Sequence, residues 1–307
     1  MKYILNSNQL EGLNKILDSK NDISILNNYG ETDLSDKDES YLIKKGILNE
    51  EASLGENEIF DILANPSTIT KFMITGGANK YEHIISYDES EEKQVAFSTS
   101  PEYFIIDDNV DNKTTINTIA DFLGSSSLKS LNINIKLSAK EAIVLGGMLD
   151  LERRSLLRAF VDELPYTNNK YGVNMIWRMI HECKESIQWL VYNLSEVIGQ
   201  EISLELDQVK EILDELAKKG LLTEEYGQYQ LNEDYSKLAN RMIILDNIMT
   251  FEMISNSLQK SVGFVCIQSG VHDILIIDYD GNDLLLETVS SQRLLEYIEK
   301  LLKGEII

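Results

Sequence analysis

The 307 residues include only three prolines, two cysteines and three histidines. Cys183 and Cys266 lie far apart in apolar surroundings, which excludes a disulfide framework and a cysteine-rich zinc site. They read as buried thiols in a reducing compartment. His83, His181 and His272 are scattered. His181 and Cys183, two positions apart on a helix, would project about 200° from one another and cannot share a metal. Positive charge is the other scarcity: 28 basic residues face 51 acidic ones, for a formal net charge of −23. Nucleic acid and anionic membrane are bound through Lys and Arg neutralising phosphate, so this field repels both. It suits a neutral or basic protein partner. No window reaches the ~18 uninterrupted apolar residues of a membrane span, and Met1 to Asn8 has no apolar stretch of signal-peptide length. A cytoplasmic protein is expected. Richness in Asn, Ile, Lys and Glu points to an AT-rich bacterial genome.

What is present is a repeat. Lys218-Lys219-Gly220-Leu221-Leu222-Thr223-Glu224-Glu225 matches Lys44-Lys45-Gly46-Ile47-Leu48-Asn49-Glu50-Glu51. Further on, Phe264 to Ile267 answers Phe72 to Thr75, and Ile276 to Asp280 answers Ile84 to Asp88. Blocks matching in the same order argue for one unit used twice. Two copies are too few for a solenoid, so two pseudo-twofold-related halves are expected. An insertion, taken as a helical run from Asn232 to Ile248, accounts for the longer second copy.

In the first half, Leu10, Leu13, Ile16 and Leu17 sit at helical spacing behind Ser7 or Asn8 as N-cap. Ser40 to Lys45 and Asn57 to Leu63 are short helices, the first stopped by Gly46. Ile69 to Thr75, Tyr81 to Tyr87 and Gln94 to Thr99 read as a three-stranded antiparallel meander, with Tyr103 to Ile106 a candidate fourth strand. Thr114 to Leu123 is an amphipathic helix. Gly124-Ser125-Ser126-Ser127 marks the joint, giving halves at 1–124 and 131–307 with a linker at 125–130.

In the second half, Leu131 to Leu137 alternates as a strand. Ser138-Ala139-Lys140-Glu141 forms a capping box for a helix running to about Phe160. Val173 to Ile198 reads as one long helix bearing Trp177 and Trp189, and 138–200 as a helical insertion. Asp207 caps a helix Val209 to Lys219, Gly220 ends it, and Tyr226 to Leu231 is a short hairpin. A longer helix then carries Leu238, Met242, Leu245 and Met249. Val262 to Ile267, Ile274 to Tyr279 and Leu284 to Val289 repeat the meander, and Ser291 to Lys303 closes the chain. The class is α+β, each half being helices, a meander and a closing helix.

Helix, Gly-Leu-Leu and hairpin from Val209 to Leu231 make a winged-helix-like element. A recognition helix needs Arg, Lys, Asn or Gln toward the groove, whereas this one offers Glu211, Asp214 and Glu215 beside Lys210. Asp278-Tyr279-Asp280-Gly281-Asn282-Asp283 glances at a calcium loop but places Gly fourth rather than sixth, so a hairpin turn explains it better. Neither Gly76-Gly77 nor Gly146-Gly147 is followed by the Lys-Ser/Thr of a phosphate loop. Ser126 and Lys129 fit Ser-x-x-Lys without its partner motifs. The carboxylates show no spacing that selects an acid–base pair. No catalytic residue, metal ligand or cofactor site is singled out, and an enzyme is not expected.

The layout resembles EspG, the cytosolic chaperone family of mycobacterial type VII secretion. The likeness is carried by the Lys-Gly-Ile/Leu-Leu step (Lys45 to Leu48, Lys219 to Leu222), by Leu63-Ala64-Asn65-Pro66 before the first meander, and by the order of elements. The composition departs from the actinobacterial members, which hold a PE–PPE pair. The resemblance implies a non-enzymatic chaperone for a helical secreted protein, here of the small WxG type. By position, the family's substrate-facing loop corresponds to the hairpin of Tyr87, Asp88, Glu89, Glu91, Glu92 and Lys93. Two other readings come from the residues themselves: a winged-helix transcription regulator, and an acidic immunity protein for a basic toxin.

Overall fold

The computed structural model describes residues 1–17, 19–54, 57–76, 79–89, 93–124, 129–165, 169–183, 185–199, 203–256, 260–270 and 273–302. The chain opens with β1 (Lys2–Leu5) and α1 (Ser7–Ile16). Asn6, rather than Ser7 or Asn8, is the N-cap of α1, and it forms a reciprocal box with Gln9. Next come α2 (Asp36–Lys44), α3 (Glu58–Ala64), β2 (Thr68–Gly76), β3 (Asn79–Asp88), β4 (Lys93–Thr99), β5 (Phe104–Asp107) and α4 (Asn112–Leu123). The middle of the chain adds β6 (Asn134–Ser138), α5 (Ala139–Val161), β7 (Tyr171–Gly172), α6 (Val173–His181), α7 (Leu190–Ile198), α8 (Leu206–Lys218), β8 (Leu222–Glu225), β9 (Gln228–Leu231) and α9 (Glu233–Arg241). It finishes with β10 (Asn247–Ser255), β11 (Lys260–Gln268), β12 (Ile274–Tyr279), β13 (Asp283–Val289) and α10 (Ser291–Leu302). The class is α+β.

Two compact units are interleaved along this order. Unit 1 takes 1–124, 249–263 and 295–307; unit 2 takes 125–248 and 264–294. In unit 1 the strands run β1-β5-β4-β3-β2-β10. Strands β2 to β5 form a continuous antiparallel meander, and β1 pairs antiparallel with β5. The core beneath it is mostly Leu and Ile, with an aromatic cluster at its edge: Tyr29 stands edge-on to Phe104 at 5.1 Å, and Phe97 stacks on Phe104 at 5.6 Å. Phe72 of β2 stacks on Phe251 of β10 at 4.8 Å. Gly263, in the same unit, is bare where a side chain would collide with the Phe251 carbonyl oxygen.

In unit 2 the strands run β11 (from Phe264 onward), β12, β13 and β6, and are covered by α5 and its neighbours. The capping box of α5 is as the sequence indicates: Ser138 and Glu141 exchange hydrogen bonds. Gly146 and Gly147 serve packing. A Cβ on them would come within 2.7 Å of Leu194 and 2.8 Å of Ile180, so their bareness lets α7 and α6 approach α5 closely. β7, β9 and β8 form a separate small sheet beside α8.

Three helical expectations are corrected. The expected helix from 173 to 198 is broken into α6 and α7. The break is held by α5, not by local sequence. The buried Asp150 carboxylate accepts the Leu190 and Val191 N–H groups, each at 3.0 Å, capping α7 from outside. Arg153, paired to Asp150 at 2.5 Å, donates to the Gln188 carbonyl. The helix expected to carry Leu238 through Met249 ends at Arg241. Arg153 takes the Met242 and Ile243 carbonyls, and Met249 becomes a buried position of β10. The α8 helix begins at Leu206 behind Glu205, so Asp207 is a first-turn residue rather than the cap.

Candidate functional site

The hairpin singled out from the sequence is the β3–β4 connection of unit 1. Tyr87 pairs with Gln94 and Asp88 with Lys93 across it, and Glu89 is exposed at its turn. Glu91 and Glu92 lie outside the described residues. The base of the hairpin is anchored. Ser67 donates its N–H to the Tyr87 carbonyl at 2.9 Å, and its hydroxyl accepts the Glu89 N–H at 3.2 Å. Lys93 forms an ion pair with Glu58 on α3.

Beside this base lies a cavity of about 680 Å³. Its wall combines Glu58, Ile59 and Ile62 of α3 with Lys93, Gln94 and Val95 of β4, and with the loop and first turn leading into α4. Asp111 caps α4, and hydrogen bonds from Thr114 hold its carboxyl below the usual carboxylate range. Gln94 reaches the Asn112 side chain at 3.4 Å, and Asn112 in turn reaches the Leu302 carbonyl of α10. The Gln94 side-chain oxygen is buried without a hydrogen-bond partner. Sequence reasoning missed Glu58, Gln94 and Asp111 as members of this site, since they are brought together by three elements far apart in the chain.

Burial quiets His83 and both thiols among the described residues. Burial drives the His83 pKa down to about 4, and its Nδ1 lies 2.6 Å from the Ser98 hydroxyl. Burial pushes the Cys183 thiol up to about 11 and the fully buried Cys266 thiol well above its ordinary value. Neither is a thiolate near neutrality. In unit 2 a cavity of about 630 Å³ is lined by His181, Cys183, Glu185 and Glu196 among others. His181 is engaged with Trp177, whose carbonyl is 2.8 Å from its Nδ1. Among the described residues no three His, Cys, Asp or Glu side chains gather as a metal site.

The calcium-like run is a turn. Asp280 accepts the Asn282 and Asp283 N–H groups, Gly281 takes φ +94°, and Lys136 pairs with both Asp280 and Asp283. The winged-helix-like element exists as α8, β8 and β9, with exposed Glu211 and Glu215 on α8 and carboxylates Glu224 and Glu225 leading to its tip. No described helix is long and apolar enough to cross a membrane.

The whole architecture has a solved counterpart. The structure is similar to the Mycobacterium tuberculosis type VII secretion system chaperone EspG5, solved in complex with a PE25–PPE41 dimer. The likeness covers 100% of this chain and 97% of that one, with a TM-score of 0.55 and 8% sequence identity. The fold is EspG5-like. No protein-family description matches the sequence, and no curated protein matches it. At 8% identity the EspG5 likeness speaks for the order and packing of elements, and it transfers no individual residue.

Proposed function

We propose that this protein is a cytoplasmic, non-enzymatic chaperone that holds a helical protein destined for a type VII secretion system. The carrying observation is the end-to-end likeness to a type VII secretion chaperone solved with its protein partner. The strong acidity and the weak reactivity of the described thiols and of His83 support the same reading. The substrate is a small helical hairpin of the WxG type. The grip is the hairpin Tyr87, Asp88, Glu89, Glu91, Glu92 and Lys93 together with the cavity at its base. The halves 1–124 and 131–307, joined at 125–130, are two descendants of one duplicated unit.

Co-purification tests this. The tagged protein, expressed at native level, is recovered with and without the triple change Tyr87→Ala, Asp88→Lys and Lys93→Glu, and stoichiometric partners are identified by mass spectrometry. A small helical secreted protein should be present with the wild type and reduced roughly tenfold with the variant, the loss of about 1.4 kcal/mol of binding. A partner held equally by both proteins would remove the hairpin from the site. Recovery of a basic toxin, or salt-dependent retention on DNA, would replace the chaperone reading altogether.

A further inference from the structure

The last two turns of α5, in unit 2, break the pattern of that helix. Upstream, Ala142 to Leu149 are buried. Downstream, Leu157, Phe160, Val161 and Leu164 are 43%, 81%, 70% and 61% exposed. Leu157, Phe160 and Val161, spaced by three and four residues, form the stripe that one helix lays against another, and Leu164 follows just past the helix end.

The end of the stripe is built at a cost. Glu163 adopts φ +53°, the left-handed region that a residue with a side chain rarely occupies. That conformation completes a terminal loop in which the Glu163 N–H bonds the Phe160 carbonyl and the Leu164 N–H bonds the Ala159 carbonyl at 2.9 Å. The chain therefore turns back at the helix end, and Leu164 stays exposed beside the last turn.

Charge says what covers it. Three of the chain's six arginines fall between Arg153 and Arg158. Arg153 is consumed by the buried contacts to Asp150, Met242, Ile243 and Gln188. Arg154 and Arg158 are exposed, one turn apart, and flank the stripe on the Val161 side. Among the described residues Arg154 has no ion pair, and Arg158 has only a 3.4 Å contact with the exposed Asp162. Such a surface pair contributes little and is easily exchanged for a better one. A second copy of this chain is a poor occupant, because each brings a net charge of −23.

We infer that the stripe Leu157, Phe160 and Val161 is a docking face for an amphipathic helix of another protein, one of neutral or basic net charge that places carboxylates against Arg154 and Arg158. This surface goes beyond the hairpin of unit 1 and stands or falls independently of it.

Two helical peptides of roughly 18 residues, five turns, test the assignment. Both carry one leucine stripe and the same composition. One has Glu along the flank that meets Arg154 and Arg158 with Lys opposite, and the other has the two exchanged. Binding to the full-length protein is read by fluorescence anisotropy. The Glu-flank peptide should bind roughly tenfold more tightly, a preference that Arg154→Glu with Arg158→Glu reverses. Phe160→Asp should abolish binding of both. Because Phe160 is exposed, that variant should keep its unfolding midpoint, and the Tyr87, Asp88 and Lys93 triple variant should bind the peptides as wild type does. Equal affinity for the two isomers, undiminished binding by the Phe160→Asp protein, or no binding of either peptide would overturn the proposal. A wild-type dimer in sedimentation that Phe160→Asp dissolves would assign the face to a second copy instead.

Discussion

Two stretches of this chain start from the same instruction and end in different structures. At α2 the helix stops at Lys45 (φ −83°, ψ −4°), and Gly46 takes φ +71°. At α8 it stops at Lys219 (φ −73°, ψ −5°), and Gly220 takes φ +77°. Each cap uses the same two bonds: Gly46 N–H to Ile43 and Ile47 N–H to Leu42 in one, Gly220 N–H to Ala217 and Leu221 N–H to Leu216 in the other. The agreement ends there. After Leu48 the chain makes an Asn49-centred turn in which Ala52 takes φ +57°. After Leu221 it extends into β8, turns at Tyr226-Gly227 and returns as β9. The equivalent lysines also diverge: Lys45 lies over the Tyr41 ring at 5.6 Å, whereas Lys219 reaches Glu141 of α5 at 2.5 Å. A helix stop is thus settled by main-chain geometry within six residues. The path of the chain beyond the stop is settled by the company each unit provides.

The sharpest test of that comparison removes the residues both caps bury. Leu42 and Leu216 are fully enclosed, so Leu42→Ala and Leu216→Ala should each cost about 2–5 kcal/mol in urea unfolding. A loss below about 1 kcal/mol at either site would show that the two steps are not equally embedded. Gly46→Ala and Gly220→Ala come next. Both force a side chain into the left-handed region with open space around it, so each should cost about 1 kcal/mol, and nearly the same amount.

A comparable effect of opposite sign is expected where the matched strand blocks differ. The Ser86 hydroxyl in β3 is buried without a partner, so Ser86→Ala should raise stability by up to about 1 kcal/mol. Its counterpart in β12 is Asp278, whose carboxyl burial pushes up. A carboxyl with a raised folded-state pKa opposes folding when ionised. Asp278→Asn should therefore stabilise at neutral pH, and the gain should fade as acid protonates the native carboxyl. A pH-independent gain would mean that packing, not ionisation, is responsible.

The smallest effect separates the two lysines. Burial works against ionisation of Glu141, but hydrogen bonds from Lys219 and Ser138 outweigh it and leave its pKa lowered. Such a group contributes stability above its unfolded-state pKa, and that stability is lost as pH falls through the folded value. Lys219→Met should cost less than about 1 kcal/mol at neutral pH, since the lysine is half exposed, and should flatten the acid limb of the stability profile. Lys45→Met, which removes a contact to an aromatic ring, should leave that limb unchanged.

The same division explains what could be read from the residues. Local signals were legible: the Ser138–Glu141 box, the Gly46 and Gly220 caps and the meander strands all appear where residue type and spacing place them. The break between α6 and α7 was not, because its cap, Asp150, sits on another helix and looks like any surface carboxylate in the sequence. β1 was missed because Lys2–Leu5 is too short to signal a strand, and its pairing with β5 comes from a hundred residues away. In β10, Met249 fits a helical stripe as well as an alternating one, and only the neighbouring strand decides. Of the candidate site, the hairpin was legible as a turn between strands. The cavity was not, since Glu58, Gln94 and Asp111 meet only after folding.

The interleaving of unit 1 also sets an order in time. Its strand β2 takes β10 as neighbour, yet the ribosome finishes β2 at Gly76 and does not begin β10 until Asn247. At translation rates of about 5–20 residues per second, that gap amounts to roughly ten to thirty seconds. Through that interval a nascent β2 edge carrying Ile69 and Phe72 waits for Phe251, and α10 is made later still. Unit 1 is therefore completed only after the whole of unit 2 has been made. Until then the acidic chain's own electrostatic repulsion helps keep one waiting edge from finding another.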